Sequence, residues 1–438
     1  MSEKRGSKNP DASGKPVSER GSAARVEGGR WVKTAERSVR LAYVVSHPIQ
    51  YQEPLLRRLA QESGIDLTVY YSSDFSTRRY RDRGFGREVQ WEIPLLQGYK
   101  YKILPRLPGM KNIATAKPPS LGYLRQFLGG RYDVVWVHGY ATMNSLHALM
   151  AARMTGAKTL LRSDSTLLDR ERSAAKQVAR RIFFAGLRPL VDGVLAVGIR
   201  NSEYWRAVLG EKLPQWRMPY AVDNAWFAAR AGSAAASREE LRQELGLAAG
   251  RPVLLFAAKL VARKRCADLL EAYAALTKSG SSDAVRPYLL IVGDGGERAA
   301  LQRRAAEMDG DGIRFCGFRS QAEMPRFYDL CDAFILPSVH EPWGLAVNEV
   351  MASGRAVVVS DEVGCQPDLV LDGETGLVFR ARDAEALAQC LRRLLGEAGL
   401  AGRLAEAGRA RVAAWDFEAD VKALRGAMEE VRGEQKRP

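Results

Sequence analysis

The sequence predicts an α/β protein built from two Rossmann-like domains, each a doubly wound parallel sheet, that face each other across a cleft. At 438 residues the chain exceeds the length that one hydrophobic core usually supports. Both halves alternate short apolar segments with helix-length segments, which is typical of a parallel sheet covered by helices. The stretch 333–360 (AFILPSVHEPWGLAVNEVMASGRAVVVS) shows the strand–helix–strand order of a βαβ unit most clearly.

The predicted strands are the short apolar segments between turn signals, because strands buried on both faces are almost continuously apolar. In the first half we expect strands at Val39–Val45, Ile65–Tyr71, Asp133–Val137, Thr159–Leu161 and Val194–Val197. In the second half we expect strands at Val253–Ala257, Tyr288–Val292, Ile313–Phe315, Ala333–Leu336 and Ala356–Val359.

We expect the domain boundary near residue 222, where the segment 219–227 (PYAVDNAWF) precedes a run of small residues. The first domain is then 38–222 and the second is 223–416, with a separate final helix in 417–438. Residues 1–37 are rich in Gly, Ser, Lys, Arg and Glu and lack hydrophobic periodicity, so we expect a disordered basic arm there.

Composition limits the class of protein. Apolar residues make up 46% and charged residues 27% of the chain, as in ordinary globular proteins. No apolar run approaches the ~20 residues of a membrane span, and the N-terminal segment lacks the apolar core of a signal peptide. The five cysteines show no CxxC spacing, which favours free thiols over disulfides or a metal site. We therefore expect a cytoplasmic protein.

The net charge of +15 comes entirely from the first half of the chain. Residues 1–222 hold 37 Lys/Arg and 19 Asp/Glu, whereas residues 223–438 hold 29 and 32. Such a surface suits phospholipid headgroups, a polyprenyl-diphosphate acceptor or nucleic acid, and a generally basic solvated surface explains it equally well. The segment 174–191 (AAKQVARRIFFAGLRPLV) is basic and amphipathic, so it either contacts an anionic lipid surface or packs into the core.

Two glutamates flank a predicted helix start. Glu341 lies in the loop after an apolar strand, a helical pattern opens at Gly344, and Glu349 lies within that helix. A helix that starts at the carboxyl edge of a parallel sheet directs backbone N–H groups and a positive dipole end into the crevice, where phosphate binds well. Two carboxylates beside that phosphate suit a nucleotide-sugar.

The segment Glu341–Glu349 resembles the E-x7-E signature of retaining glycosyltransferases with the GT-B fold, and its surroundings resemble glycosyltransferase family 4. The resemblance extends over about residues 39–420 as separate motifs. The turn HPIQY, residues 47–51, is similar to that of a bacterial subgroup, although many relatives carry a glycine-rich loop there. The resemblance implies that the first domain binds the acceptor, that the second binds the donor, and that the final helix crosses back to the first domain.

The resemblance also implies roles for residues of the second domain. Lys259 and Lys264, in FAAKLVARK, match the cations that stabilise the donor diphosphate, with lysine in place of the family's arginine at Lys259. Glu349 would bind the ribose hydroxyls and Glu341 the sugar ring. The other implied donor contacts are Gly293, Asp294 and Gly295 in the turn VGDGGE, Gly317 and Phe318 at the nucleobase, and the amides of Gly344 and Leu345. The resemblance argues against a metal at Asp294, because GT-B enzymes generally dispense with a catalytic metal.

In the first domain, His138 ends a predicted strand at the cleft edge and matches a family histidine near the donor sugar, although a structural role is also open. His47 and Gln50 are candidates on the acceptor side. Arg162 and Asp164 end the following strand and either orient the acceptor or sugar or form a local ion pair.

Together these features predict a retaining, metal-independent hexosyltransferase that needs no cofactor. We expect a UDP-sugar or GDP-sugar donor, a lipid-linked or cell-envelope polysaccharide acceptor, peripheral contact with the inner face of an anionic membrane, and no nucleic-acid partner. Two alternatives stay open: a GT-B-fold sugar-nucleotide epimerase, which acts without an acceptor, and a non-catalytic nucleic-acid-binding protein that uses the basic half.

Overall fold

The computed structural model describes residues 38–82, 84–91, 93–105, 122–168, 173–278, 286–308 and 310–433. The predicted basic arm, residues 1–37, lies outside the described residues. Two separate parallel sheets, each with helices on both faces, confirm the predicted fold class.

The first domain contains a parallel sheet and a small antiparallel hairpin. Its strands are β1 (Val39–Val45), β2 (Ile65–Tyr71), β3 (Tyr80–Asp82), β4 (Arg87–Val89), β5 (Lys100–Ile103), β6 (Val134–His138), β7 (Lys158–Arg162), β8 (Gly193–Ala196) and β9 (Gln215–Arg217). Seven strands form the sheet in the order β5-β2-β1-β6-β7-β8-β9, so the order reverses at β1. Strands β3 and β4 pair only with each other and form a hairpin inserted between β2 and β5.

Helices cover both faces of this sheet. They are α1 (Glu53–Ala60), α2 (Tyr123–Gly130), α3 (Met143–Met154), α4 (Ala174–Leu187) and α5 (Ile199–Leu209). Phe127, Leu149, Phe184 and Trp205 bury α2 to α5 against one face. On the opposite face, α1 packs into a different cluster.

The second domain repeats the plan with six parallel strands. They are β10 (Val253–Ala257), β11 (Tyr288–Val292), β12 (Ile313–Gly317), β13 (Ala333–Leu336), β14 (Ala356–Ser360) and β15 (Leu377–Phe379). Their order is β12-β11-β10-β13-β14-β15, the doubly wound order that reverses at the first strand.

The remaining helices are α6 (Asn224–Ala234), α7 (Arg238–Glu244), α8 (Cys266–Lys278), α9 (Arg298–Glu307), α10 (Met324–Leu330), α11 (Leu345–Ala352), α12 (Gln366–Leu369), α13 (Ala384–Gly396), α14 (Leu400–Val412) and α15 (Phe417–Arg432). Side chains that accept N–H groups of the first turn cap α3, α6, α13 and α15: Thr142, Asp223, Asp383 and Asp416. None of the described helices is both long and apolar enough to cross a bilayer.

The chain passes between the domains twice. It enters the second domain between β9 and α6, and it returns after α14 into α15. Leu424 and Met428 of α15 are buried in the same cluster as α1, on the first sheet. The side chain of Asn224 donates to the carbonyls of Val412 and Trp415 at 3.0 and 3.3 Å, which ties the two crossings to each other.

The predicted apolar strands agree with the structure, and five have the same bounds: β1, β2, β10, β11 and β13. Strands β5, β9 and β15 and the two strands of the hairpin were not predicted from the sequence.

Candidate active site

The loops after β10 and β13 meet where the strand order of the second sheet reverses. Strand β10 pairs with β11 on one side and with β13 on the other. In open parallel sheets, ligands bind outside the carboxyl ends of the strands at such a point. Lys264 of the first loop donates to Glu341 Oε2 of the second, and Arg263 Nη1 lies 3.2 Å from the same oxygen. Two of the predicted site residues are therefore in direct contact.

Both members of the Lys264–Glu341 pair are buried, with 9% and 7% of their surface exposed. Burial lowers the pKa of the Lys264 ammonium, and the negative charge of Glu341 opposes this effect. Each charge therefore depends on the other, because an unpaired buried charge is strongly unfavourable.

Lys259, the other predicted diphosphate ligand, contacts a carboxylate of the first domain. Its Nζ lies 2.9 Å from Asp82 Oδ1, 3.0 Å from Asp82 Oδ2 and 4.5 Å from the centre of the Phe85 ring. Asp82 also accepts the N–H groups of Gly84 and Phe85 at 2.8 and 2.9 Å. Burial raises the pKa of Asp82, but the hydrogen bonds from Lys259 and these amides outweigh it and lower the pKa. Asp82 was not predicted from the sequence, because no motif marks it.

The same hairpin contacts the predicted nucleobase loop. The ring centres of Phe85 and Phe318 are 5.0 Å apart, and the Arg87 guanidinium lies 5.0 Å from the Phe318 ring centre. Residues of β3, β4 and their turn therefore contact both ends of the predicted donor site, at Lys259 and at Phe318.

Helix α11 begins directly after Gly344, as predicted. Gly344 has a φ of 98°, and a Cβ there would lie 3.1 Å from the side chains of Leu336 and Val363. No side chain caps the first turn from Leu345 within the described residues. The helix start therefore offers backbone donors and the positive end of its dipole to an anion.

Glu349, in the second turn of α11, lines a cavity of about 430 Å³ between the domains. Gln50 and Tyr51 of the first domain and Gln321 of the second also line this cavity. The hydroxyl of Tyr328 donates to Glu349 Oε2 at 2.5 Å. Burial raises the pKa of Glu349 to about 7, and this hydrogen bond opposes the shift. The second glutamate of the pair thus faces the space between the two domains.

The glycines of the β11 loop pack against the β10 loop. A Cβ on Gly293 would lie 2.0 Å from the carbonyl oxygen of Ala258, and one on Gly295 would lie 2.4 Å from that of Leu260. Both residues have positive φ angles, 141° and 156°. The close approach that requires glycine is therefore to the neighbouring loop.

Asp294 is used within its own loop. Its Oδ2 accepts from Arg298 Nη1 at 3.1 Å, and its Oδ1 accepts from the Gly295 amide at 2.9 Å. Among the described residues, no group of three His, Cys, Asp or Glu side chains could hold a metal ion.

In the first domain, His138 lies at the carboxyl end of β6, next to the reversal of strand order at β1. Gln52 Nε2 lies 3.2 Å from its Nε2, and the Tyr43 hydroxyl in turn donates to Gln52. Burial lowers the pKa of His138 to about 3, so the ring is neutral at physiological pH. Gln52, which orients this ring, was not predicted, although it follows the HPIQY turn directly.

His47 and Gln50 occupy different positions at the cleft. His47 contacts Ser46 Oγ at 2.8 Å, and its ring centre lies 4.6 Å from that of Phe75. It lines a cavity of about 630 Å³ that also contains Lys259 and a group of arginines, Arg78, Arg79 and Arg81. Burial lowers the pKa of His47 to about 4. Gln50 hydrogen-bonds with Gln321 of the second domain.

Arg162 contacts groups of the protein itself, and its role on the acceptor side stays a prediction. Its side chain is 1% exposed, donates to the carbonyls of Met218 and Pro219 at 2.9 and 2.6 Å, and lies 3.5 Å from Asp420 of α15. The ion-pair alternative is closer to the structure, but the carboxylate comes from the final helix. Asp164 remains a candidate, because its charge raises the pKa of the cavity residue Tyr51, after the larger effect of burial.

Residues 237–411 match the protein family described as glycosyl transferases group 1. The chain is 34% identical over 168 residues to the lipopolysaccharide core biosynthesis glycosyltransferase LpsE of Rhizobium meliloti, which covers 38% of this chain and 46% of LpsE. It is 27% identical over 307 residues to the GDP-mannose-dependent alpha-(1-6)-phosphatidylinositol monomannoside mannosyltransferase of Mycolicibacterium smegmatis, covering 66% of this chain and 75% of that enzyme. The chain thus spans less than half the length of LpsE.

The crystal structure of Anabaena HepE in complex with UDP and glucose superimposes with a TM-score of 0.65 at 16% identity, covering 90% of this chain and all of that one. This likeness shows that the chain has the GT-B fold, as predicted. The comparisons thus show the GT-B fold and a segment similar to glycosyl transferases group 1, whereas the activity, family 4 and the HPIQY subgroup stay predictions.

Proposed function

We propose that the protein is a retaining family 4 hexosyltransferase that uses a UDP-sugar or GDP-sugar donor and needs no catalytic metal. The observation that carries the proposal is the position of Glu349, which faces residues of both domains in one cavity while Glu341, eight residues earlier, contacts Lys264 in the crevice of the second sheet. Under this proposal the donor lies between the domains and the acidic pair holds it.

The donor diphosphate would lie against the start of α11, with Lys259 and Lys264 as its counter-charges. The leaving diphosphate gains negative charge as the glycosidic bond breaks, so fixed cations and a helix dipole stabilise the transition state. Glu349 would accept hydrogen bonds from both ribose hydroxyls, because a carboxylate has two acceptor oxygens. Phe318 would lie at the nucleobase.

Both lysines are paired with carboxylates, and donor binding would exchange these partners. The diphosphate replaces Asp82 at Lys259 and shares Lys264 with Glu341. Glu341 is then placed to accept a hydroxyl of the donor sugar. The exchange keeps each buried charge compensated, which a buried lysine requires.

Transfer would proceed by front-face displacement. The bond between the anomeric carbon and the diphosphate oxygen breaks while the acceptor oxygen bonds to the same face of that carbon. The acceptor proton passes to the leaving phosphate oxygen, so the configuration is retained without a protein nucleophile. His138 is neutral because of its lowered pKa, so it would offer the sugar a hydrogen bond rather than a charge.

We propose a lipid-linked or cell-envelope polysaccharide intermediate as the acceptor, met in the cytoplasm at the inner face of the membrane. The names of two relatives support this class: LpsE acts in lipopolysaccharide core biosynthesis, and the mycobacterial enzyme acts on a phosphatidylinositol monomannoside. The basic excess of the first half suits such an anionic acceptor.

A thermal-shift screen of UDP-, GDP- and ADP-sugars tests the proposal, followed by product analysis with the stabilising donor. We expect sugar nucleotides of one class to raise the melting temperature of the wild-type protein. The Glu349→Gln variant should lose most of this increase. Rapid conversion of the donor to its epimer without any acceptor would replace the proposal with an epimerase. A wild-type protein that no sugar nucleotide stabilises would contradict both.

A further inference from the structure

In the part of the chain that the structure describes, the large apolar side chains that are exposed lie in the first domain. Among the described residues, all eleven large apolar side chains that are exposed lie between Tyr101 and Ile199. A concentration of this kind on one domain marks an interaction surface rather than the scattered apolar residues of an ordinary surface.

Helices α2, α3 and α4, on the same face of the first sheet, carry six of these side chains. The six form three pairs, each with its two members one helical turn apart. Residues at i and i+4 lie on the same side of a helix. Each helix packs on the first sheet through another side chain, Phe127, Leu149 or Phe184, whereas the six side chains of the pairs are 36–71% exposed and face solvent. The pairs are Leu124 and Leu128 on α2, Met150 and Met154 on α3, and Val178 and Ile182 on α4.

The charged residues on the helices of the first domain are also distributed unevenly between the two faces of its sheet. Helices α2, α3 and α4 together carry five Lys/Arg and no Asp/Glu. Helices α1 and α15, on the opposite face of the sheet, carry five of each. The excess of positive charge therefore lies on the face that also exposes apolar side chains.

We propose that the outer surface of α2, α3 and α4 docks on an anionic phospholipid surface. Apolar side chains at i and i+4 enter the interface between headgroups and acyl chains, while Lys and Arg on the same helices pair with lipid phosphates. A protein partner would require a matching acidic surface, whereas an anionic bilayer supplies both the charge and the apolar layer.

The surface extends to the edge of the domain that carries the cleft. Met143, Leu167 and Ile199 are exposed and follow the carboxyl ends of β6, β7 and β8. A lipid-linked acceptor could therefore reach the cleft while its lipid part stays in the bilayer. This link rests on the proposed function, whereas the docking itself does not.

Vesicle flotation of the full chain tests the docking, with phosphatidylcholine alone compared with phosphatidylcholine and phosphatidylglycerol. We expect binding only to the anionic vesicles, and weaker binding at high salt. Val178→Ser with Ile182→Ser should weaken partitioning at least about tenfold. Lys176→Ala with Arg181→Ala should weaken it about fivefold per charge.

Two control variants match these changes. Val178→Ile with Ile182→Leu keeps the apolar character and should bind like the wild type. Lys422→Ala removes an exposed charge from α15, on the opposite face, and should also leave binding unchanged. Equal binding to both vesicle types, or full binding by the serine variant, would overturn the proposal.

Two other occupants of this surface would also overturn it. One is a dimer, seen by light scattering, that dissociates in Ile182→Ser while the wild type ignores vesicles. The other is retention on single-stranded nucleic acid that Lys176→Ala abolishes, again without vesicle binding. The increase in melting temperature on donor binding separates the two proposals. We expect this increase to be the same in the docking variants as in the wild type. If the donor does not stabilise the wild type, the proposed glycosyltransferase activity is contradicted but the docking is not.

Discussion

The two domains share one topology but build their sides of the cleft differently. The second domain uses loops and a helix start that follow directly from its strand order, and the family match of residues 237–411 lies within it. The first domain uses side chains that the topology does not specify, such as Gln52 behind His138, and a hairpin that brings Asp82 to Lys259. The difference teaches that the side of the cleft with the family match follows from topology, whereas the other side depends on individual side chains.

The sharpest test of this division is Glu341→Ala in the second domain. Loss of a group that contacts the donor sugar should lower kcat by about 100-fold or more, since interactions made in the transition state are worth that much. Initial rates with the stabilising sugar nucleotide measure the effect. Glu406→Ala, at an exposed position of α14, is the matched control and should behave like the wild type. Near-normal turnover in a folded Glu341→Ala protein would remove Glu341 from the site.

Lys264→Ala should show that the same loop also supports the fold. Removing one member of a buried ion pair typically costs about 3–5 kcal/mol in the free energy of unfolding, because the other charge is left unpaired. Urea unfolding measures this loss, and calorimetry should show weaker nucleoside-diphosphate binding. Lys264→Met combined with Glu341→Gln should restore most of the stability but not the affinity. Unchanged affinity in Lys264→Ala would contradict its contact with the diphosphate.

The pH dependence of donor affinity distinguishes the buried carboxyl of Glu349, in the second domain, from that of Asp420, which packs on the first. Burial raises the pKa of both Glu349 and Asp420 to about 7. If ribose requires ionised Glu349, calorimetric affinity for the sugar nucleotide should rise about tenfold from pH 6 to 8, as expected for release of one proton. Glu349→Gln should abolish the slope, whereas Asp420→Asn, beside Arg162, should keep it. A slope that survives in Glu349→Gln would assign the proton to another group.

Asp420→Asn should instead change how the free energy of unfolding depends on pH. Its folded pKa lies above the ordinary value for aspartate of about 3.9, so the folded state holds the proton more tightly. The free energy of unfolding should therefore fall as pH rises from about 4 to about 7, and the substitution should make this fall shallower. An unchanged pH profile in urea titrations would contradict burial of this carboxyl.

The smallest effect is expected from the first domain's hairpin. Asp82→Asn should free Lys259 for the diphosphate and tighten donor binding by up to about fivefold, the scale of a partly exposed ion pair. Asp66→Asn, which removes an exposed pair with Lys100 in the same domain, is the matched control and should have no effect. Weaker binding in Asp82→Asn would mean that Asp82 positions Lys259 instead of competing for it.

The parts of the fold that were predictable are those that local pattern determines. Buried strands such as β10 (VLLFA) are continuously apolar, and their bounds agreed with the structure. Strand β5 (KYKI) escaped prediction because all four of its residues are exposed and two are charged. Strands β9 and β15 have only three residues each, too few for a hydrophobic period to show.

The candidate site divides in the same way. The contact between Lys264 and Glu341 follows from a reversal of strand order, which can be inferred from the sequence once the strands are placed. The burial of Arg162 could not be inferred, because Asp420 comes from a helix more than 250 residues later that covers this end of the strand. Asp82 likewise meets Lys259 only through tertiary packing.

The bonds from Asn224 to the carbonyls of Val412 and Trp415 limit how the two domains can move. Because these bonds join the two segments that connect the domains, we expect the domains to rotate about this pivot point more easily than they separate. Asn224→Ala should loosen that pivot while leaving each sheet intact. Product release would then respond to a side chain that touches neither nucleotide nor sugar.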